Sequence, residues 1–252
     1  LRNRPLIAKF RKDKGSLVFK DTDLHQLGPR GVFPYREIKR AYNLESLGFD
    51  QLAQEQADLA VAISPIFSEP YFIRGKVSEK KKEYGKALKD FRIATTISSQ
   101  NVDMRYHLAL MYAALKDYPN AIKQYEVITS GGAKRPEVFF SLAQAYLEEG
   151  KYAKAMDVFR KVASFAPKNA DDIFKIGDAF VAKKRYPEAF EVYSAILKIN
   201  PSESRAYYKI GLCFEALRDT AKAKEAFLRG LKVNPTSAVL QKEIRRINQK
   251  RK

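Results

Sequence analysis

Alanine recurs at one fixed interval through most of the chain. Six alanines lie 34 residues apart: Ala53, Ala87, Ala121, Ala155, Ala189 and Ala223. A fixed period of this length indicates one helix-turn-helix unit copied in tandem, with each unit packing only on its neighbours. The 252-residue chain is therefore expected to form an open array of helix pairs rather than a compact globule.

Two further columns keep the phase of the alanines. Four residues after the alanine, five of the six units carry an aromatic side chain: Phe91, Tyr125, Phe159, Tyr193 and Phe227. Twelve residues before the alanine, every unit carries a small one: Ala41, Gly75, Ala109, Ala143, Gly177 and Gly211. Small residues let two helices approach closely, and aromatic residues fill the gap beside them. The columns thus indicate helices packed in pairs.

These columns resemble the tetratricopeptide repeat (TPR) family over most of the chain. The resemblance implies an all-α fold, a right-handed α-α solenoid of about six repeats ending in a C-terminal capping helix. The expected repeats span 34–67, 68–101, 102–135, 136–169, 170–203 and 204–237. Residues 1–33 form a basic, partly irregular extension, and residues 238–252 form the basic capping helix.

The sequence departs from the family pattern at two points. Glu37 and Ala57 stand where the family prefers bulky residues, so the first repeat is either degenerate or a cap. Tryptophan is absent, and aromatic residues take its place at Tyr71, Phe139 and Tyr207.

The limits of the helices can also be predicted from the period. Turns within the helix pairs are expected near six residues in one phase: Gly48, Lys82, Lys116, Gly150, Lys184 and Arg218. After the last repeat, Leu240, Ile244 and Ile247 form a single apolar stripe, which is typical of one amphipathic helix covering the end of a solenoid.

The resemblance also locates a groove, because the first helix of each TPR pair lines the inner surface. Its fifth position carries five successive aromatic residues: Phe72, Tyr106, Phe140, Phe174 and Tyr208. Three residues earlier stand four acids: Glu69, Asp103, Glu137 and Asp171. Four residues after the aromatic column stand the polar residues Lys76, Gln144 and Asp178. We interpret these twelve residues as a partner-binding groove.

Each of these columns also has a purely structural interpretation. The aromatic residues can belong to the core, and acids in a first helical turn are favoured by the positive end of the helix dipole. If the columns do face the groove, we expect an apolar or amphipathic protein segment there, with basic groups opposite the acids. The Lys and Asn pair with which some TPR domains grip a C-terminal carboxylate is missing, which argues against an adaptor for chaperone tails.

The charge of the chain leaves other partners open. The net charge is +18, and more than half of it lies in residues 1–33 and 238–252. Basic ends favour an anionic surface, such as a membrane contacted through residues 1–20, although they can also be solvated tails. Nucleic acid is less favoured, because the acidic column would repel phosphate. Self-association through the aromatic groove is a further alternative.

Signatures of catalysis are missing from the sequence. It has no HExxH, CxxC, GxSxG or GxxxxGK[ST] pattern. The one cysteine, Cys213, lies in a column of mostly small residues and is expected to be buried. We therefore predict no catalytic residues, metal or cofactor, and interpret the chain as a protein-interaction scaffold or adaptor that assembles a larger complex. The alternatives are a membrane-associated assembly factor docked through its basic N-terminal segment and a nucleic-acid-binding protein that uses the basic ends.

The location of the protein in the cell is inferred only indirectly. The chain begins at Leu1 rather than at Met, so we expect a native N-terminus beyond it. A cytoplasmic protein, at the membrane face if the basic segment docks there, fits the composition.

Overall fold

The computed structural model describes residues 33–165 and 170–249, together with residues 12–13 and 16–17. This part of the chain contains thirteen α-helices: α1 (Tyr35–Ser46), α2 (Asp50–Ile63), α3 (Ser68–Lys80), α4 (Tyr84–Ile97), α5 (Val102–Ala114), α6 (Tyr118–Ser130), α7 (Pro136–Glu148), α8 (Tyr152–Phe165), α9 (Ala170–Ala182), α10 (Tyr186–Ile199), α11 (Ser204–Ala216), α12 (Thr220–Val233) and α13 (Ala238–Gln249). Two short strands, β1 (Lys12–Asp13) and β2 (Ser16–Leu17), pair antiparallel. The tandem helix pairs confirm the predicted all-α solenoid.

The chain divides into two compact units, residues 1–77 and 78–252. The first contains α1, α2 and α3 as far as Val77. Its core cluster consists of Ala41, Ala53, Ala57, Ile73 and Val77, each 0% exposed. Three of these five residues are alanines, so α1 and α2 pack closely and need no aromatic ring at the position of Ala57. This packing is how the first repeat departs from the family pattern.

The second unit continues from Ser78 through α13. Each odd-numbered helix from α5 to α11 packs on the even-numbered helix that follows it, and α7 packs also on α9. The core is built around the aromatic column of the even-numbered helices, where Tyr125, Tyr193 and Phe227 are 0% exposed. The residues that mark the period in the sequence are therefore the ones that pack neighbouring helices together.

In the second unit, two positions of the column of small residues hold glycine, and at both of them an aromatic ring of the paired helix lies against the backbone. A Cβ atom on Gly177 would lie 2.3 Å from Cε1 of Tyr193, and one on Gly211 would lie 2.2 Å from Cε1 of Phe227. Non-bonded carbon atoms are in contact at about 3.5–4.0 Å. At these two positions the ring therefore occupies the space that an alanine methyl group would need.

The predicted turns are confirmed, because all six residues have a positive φ. Gly48 and Gly150 have φ of 82° and 71°, whereas Lys82, Lys116, Lys184 and Arg218 have φ of 60°, 62°, 58° and 63°. After α5, the Lys116 amide donates to the Ala113 carbonyl at 2.9 Å and the Asp117 amide donates to the Tyr112 carbonyl at 2.8 Å. A left-handed residue thus ends the first helix of each pair, which is the usual way to satisfy its last carbonyls.

The last helix, α13, covers the end of the second unit as predicted. Leu240 and Ile247 are each 1% exposed, and both pack against α12 in a cluster with Phe227. An ion pair also joins α13 to α11, since Arg246 Nη2 lies 2.5 Å from Glu215 Oε2. The apolar stripe therefore faces the repeats and leaves the exposed Lys242 and Arg245 on the other side.

Candidate partner-binding face

The second unit has two kinds of helix with different charge. We call α5, α7, α9 and α11 the A helices, and α4, α6, α8, α10 and α12 the B helices. The A helices carry four Lys or Arg and seven Asp or Glu residues, whereas the B helices carry twelve and six. The excess of positive charge in the repeats of this unit therefore does not come from the A helices, on which the predicted groove residues lie.

The aromatic column is more buried than a groove lining requires. Phe140 is 8% exposed and Phe174 is 4% exposed, and Phe72 in the first unit is 8% exposed. Only Tyr106 and Tyr208 are half-buried. The three phenylalanines thus belong mainly to the core, as in the alternative interpretation, and their part in binding stays a prediction.

The burial has a repeated cause in the second unit. In three of the four repeats, the A-helix ring packs on the B-helix ring that follows nineteen residues later. The ring centroids lie 6.1 Å apart for Tyr106 and Tyr125, 5.9 Å apart for Phe174 and Tyr193, and 6.1 Å apart for Tyr208 and Phe227. In these three repeats the two aromatic columns of the sequence therefore meet as pairs of rings.

The acidic column of the second unit is paired with arginines that the sequence analysis did not single out. Arg135 lies between Asp103, with Nη1 2.5 Å from Oδ1, and Glu137, with Nε 2.7 Å from Oε1. Arg205 Nη2 lies 2.7 Å from Asp171 Oδ1. In the first unit, Glu69 accepts a hydrogen bond of 3.3 Å from the Ser68 hydroxyl. Because its acids already have partners, the column gives little reason to expect a basic ligand.

The same two arginines lie against rings of the aromatic column. The Arg135 guanidinium is 5.5 Å from the ring centroid of Tyr106, and the Arg205 guanidinium is 3.7 Å from that of Phe174. We call Asp103, Tyr106 and Arg135 the first arginine–aromatic module, and Asp171, Phe174 and Arg205 the second. Equivalent acids and rings of the two modules are 68 residues, or two repeats, apart.

The charge of the first module is firmly held. Burial lowers the pKa of the Arg135 guanidinium, but hydrogen bonds to Glu137 and Asp103 outweigh this effect and raise the pKa above its usual value. Arg205 could have been noticed in the sequence as the one basic residue of the acidic column. Arg135 precedes α7 and lies outside the columns on which the groove was predicted, so no repeat pattern pointed to it.

Two residues of the polar column are paired with other side chains, and the third is exposed. In the first unit, Lys76 Nζ lies 2.6 Å from Oε2 of the buried Glu45. In the second unit, Gln144 is exposed, whereas Asp178 accepts hydrogen bonds from the Tyr193 hydroxyl at 2.5 Å and from Lys209 at 2.8 Å. Burial, followed by the hydrogen bond to Asp178, raises the pKa of the Tyr193 hydroxyl above its usual range. Gln144 is thus the polar-column residue most accessible to a partner.

A small cavity of about 60 Å³ lies beside Asp178, between Tyr186, Leu212 and Cys213. Cys213 is 1% exposed, and burial raises the pKa of its thiol to about 11. A thiol is nucleophilic as the thiolate, so this one is unreactive near neutral pH. Cys213 therefore packs in the core, as predicted.

The described residues show no feature that points to metal binding or to a membrane-spanning helix. Within 33–165 and 170–249, no cluster of three His, Cys, Asp or Glu side chains is placed to bind a metal. None of the helices in that part of the chain is long and apolar enough to cross a membrane. The basic segment 1–20 lies outside the described residues apart from β1 and β2, as do residues 250–252. Membrane docking and nucleic-acid binding therefore stay predictions.

Comparison with known proteins identifies the repeats. A model described as tetratricopeptide repeat matches residues 38–201, and a second model of the same description matches residues 174–238. No curated protein sequence gives a significant match.

Solved TPR structures share the fold at low identity. The C-terminal part of a TPR protein from Cytophaga hutchinsonii is 21% identical, with 85% of this chain and 88% of that one covered and a TM-score of 0.66. A TPR protein from Parabacteroides merdae is 15% identical, with 83% of each chain covered and a TM-score of 0.61. YrrB, described as having an unusual peptide-binding site, is 16% identical, with coverage of 74% and 96% and a TM-score of 0.55. The chain belongs to the tetratricopeptide repeat family, whose fold supports protein–protein interaction and whose members are generally non-catalytic.

Proposed function

We propose that the chain is a non-catalytic scaffold that binds a segment of a partner protein along the A helices of the second unit and holds it in a larger complex. The observation that carries the proposal is the pair of arginine–aromatic modules. Each places a guanidinium group over a ring and against an acid, so cations, ring edges and carboxylates recur at two points of the same face.

The modules are suited to binding because they are already ordered. The Arg135 side chain is 33% exposed and that of Arg205 is 48% exposed, and each is held by both an ion pair and a ring. Immobilising a flexible side chain on binding costs about 0.5–1.5 kcal/mol. The two side chains are already largely immobilised in the folded protein, so a partner needs to order them little further. Their partly exposed guanidinium edges are available to carbonyl or carboxylate oxygens of a partner.

The residues between and beside the modules define the kind of segment that fits. Tyr106 and Tyr208 are half-buried, as are Leu110 and Leu212 one helical turn later, so the face offers apolar contact. The exposed Gln144 lies in the repeat between the modules, and its amide can both donate to and accept from a peptide backbone. We therefore favour an apolar or amphipathic segment that contacts at least three repeats.

The comparison with YrrB is consistent with this proposal, because a protein of similar fold is described as binding a peptide. A basic character of the segment is no part of the proposal, since Asp103, Glu137 and Asp171 are paired with arginines.

The proposal can be tested by capturing partners with the full chain as bait. We would compare the wild type with a variant carrying Arg135→Gln and Arg205→Gln, which removes both cations. A matched control carries Arg92→Gln and Lys161→Gln on the B helices α4 and α8 and loses the same charge. Partner proteins identified by mass spectrometry should be retained by the control and lost from the first variant.

Binding of the purified partner should then be measured by titration calorimetry. We expect the Kd to rise at least about tenfold for the A-helix variant, which corresponds to roughly 1.4 kcal/mol. Equal affinity for the wild type and both variants would exclude the A-helix face as the binding site.

The alternatives that depend on the basic ends have separate tests. Vesicle flotation with and without residues 1–14 measures membrane docking, and a filter-binding titration across salt concentrations measures nucleic-acid binding. The second must show a steep loss of affinity with salt if phosphate contacts dominate.

A further inference from the structure

A second concave surface lies on the B helices, away from the arginine–aromatic modules. A cleft of about 290 Å³ opens between α10 and α12, and α11 forms its floor. Its walls are mainly apolar and include Phe190, Tyr207 and Phe214. The volume is at the lower limit of the roughly 300–1,000 Å³ of typical small-molecule sites. The cleft is large enough to take one or two side chains of a partner.

The two helices that form the walls of the cleft lack an ion pair that joins the equivalent helices one repeat earlier. One repeat earlier, Arg160 on α8 spans to Glu191 on α10 with hydrogen bonds of 2.8 and 3.0 Å. Thirty-four residues later the same two positions hold Ser194 and Glu225. Serine is too short to make the bridge, and Glu225 instead pairs with Arg229 in its own helix at 2.6 Å.

Apolar surface is left accessible where the bridge is missing. Phe190 is 37% exposed, although its ring lies 5.2 Å from that of Phe214. Tyr207 and Phe214 are half-buried. An accessible aromatic wall inside a cleft favours the insertion of an apolar side chain from a partner.

The rim of the cleft is basic. Lys222 and Arg229 line it together with one acid, Glu225. Lys198 follows the lining residue Leu197, and Lys232 lies on α12 three residues after Arg229. Because α12 carries four basic residues and one acid, the α12 wall of the cleft favours an acidic partner.

The rim cations are free to change partners. Lys222 is 2.9 Å from Asp219, with side chains 63% and 34% exposed, and Arg229 is 2.6 Å from Glu225, with side chains 65% and 59% exposed. Ion pairs this exposed contribute little to stability, because water competes for both partners. A carboxylate of a docked segment can therefore replace the internal acids at little cost.

We infer that this cleft is a second docking site, which takes an apolar side chain of a partner protein flanked by aspartate or glutamate. The site is separate from the A-helix face, so one molecule could hold two partners, one on each kind of helix.

The test uses a fluorescein-labelled acidic peptide with two leucines one helical turn apart. Control peptides replace the leucines by alanine or the acids by lysine. Fluorescence anisotropy with the full chain should give saturable binding for the acidic leucine peptide alone. Ser194→Arg should then weaken that binding at least about tenfold, because it restores the bridging residue and fills the cleft. Ser130→Arg on α6 adds the same charge at an exposed helical serine and should bind as the wild type does.

A charge reversal at the rim makes the test independent of how well Ser194→Arg folds. The exposed pair Lys222→Glu and Arg229→Glu should transfer the preference to the lysine peptide. Unchanged binding in both variants would overturn the inference, as would equal binding of the alanine peptide. Occupation by a second copy would appear in light scattering as a mass that rises with concentration and falls with Ser194→Arg, and it would also overturn the inference.

Discussion

The turn residue Lys116 offers a direct test of how backbone geometry limits the stability of the array. It is exposed and has a φ of 62°, between α5 and α6. The left-handed conformation costs a residue with a Cβ atom roughly 1–2 kcal/mol. Lys116→Gly removes this cost, but the greater freedom of glycine in the unfolded chain takes back about 0.5–1 kcal/mol. We expect a net gain of about 0.5–1 kcal/mol in the free energy of unfolding.

The reverse substitution is available at the equivalent turn one repeat later. Gly150 has a φ of 71°, and a Cβ atom placed on it would meet nothing within 4 Å. Gly150→Lys therefore adds the backbone cost without a steric clash and should lower the free energy of unfolding by a similar amount. Because both sites are exposed turns, side-chain packing should contribute little to either change.

The measurement is thermal and urea unfolding followed by circular dichroism at 222 nm, a standard helical wavelength. For chains of this size, 1 kcal/mol shifts the Tm by about 2–4 °C. Glycine at all four non-glycine turns, which are Lys82, Lys116, Lys184 and Arg218, should raise stability by about 2–4 kcal/mol if the sites are independent. A lower Tm for Lys116→Gly, or an unchanged Tm for Gly150→Lys, would refute the assignment of strain to these turns.

Two further predictions concern the packed layer between the helices. Gly211→Ala should lower stability by up to about 2 kcal/mol in urea unfolding, because overpacking against Phe227 costs about 1–3 kcal/mol and alanine returns about 1 kcal/mol of helix propensity. Gly85→Ala, where an added Cβ atom meets nothing within 4 Å, is the control and should not destabilise. The thiol of Cys213 should not react with a disulfide reagent in the folded protein at pH 8, and equal labelling rates with and without urea would contradict its burial. Since the folded thiol has a pKa of about 11 against a reference of 9.0, its contribution to stability is complete below pH 9 and is lost as the pH rises to about 11. This part of the alkaline loss should be absent from Cys213→Ala.

The repeat pattern predicted the fold because the interactions that create it are local or join adjacent helices. The turn positions were predicted correctly because the first helix of every pair ends at the same position of the repeat. The residue there has a left-handed backbone even where it is lysine or arginine. The small column was correctly interpreted as a point of close approach, as the distances from Gly177 and Gly211 to the facing rings demonstrate.

The candidate binding face was only partly predictable. A column of aromatic residues at one helical position is compatible with both a groove and a core. The helix period alone does not show how far side chains of neighbouring helices cover each ring. Phe174 lies on Tyr193 and under Arg205, so side chains from two other helices decide its exposure. Whether the face binds a partner stays a prediction.

By itself, the sequence determined the repeat, its period, the ends of the helices and the capping helix. These features follow from backbone preferences and from contacts that recur in every unit. Only the tertiary structure decided which rings are covered, which acids meet arginines more than thirty residues away in the sequence, and where a cleft is left open. Arg135 pairs with Asp103 across 32 residues, and Ser194 lines the cleft at the position where Arg160 bridges two helices one repeat earlier. Such contacts depend on the length and direction of individual side chains at a helix interface, which a periodic pattern does not specify.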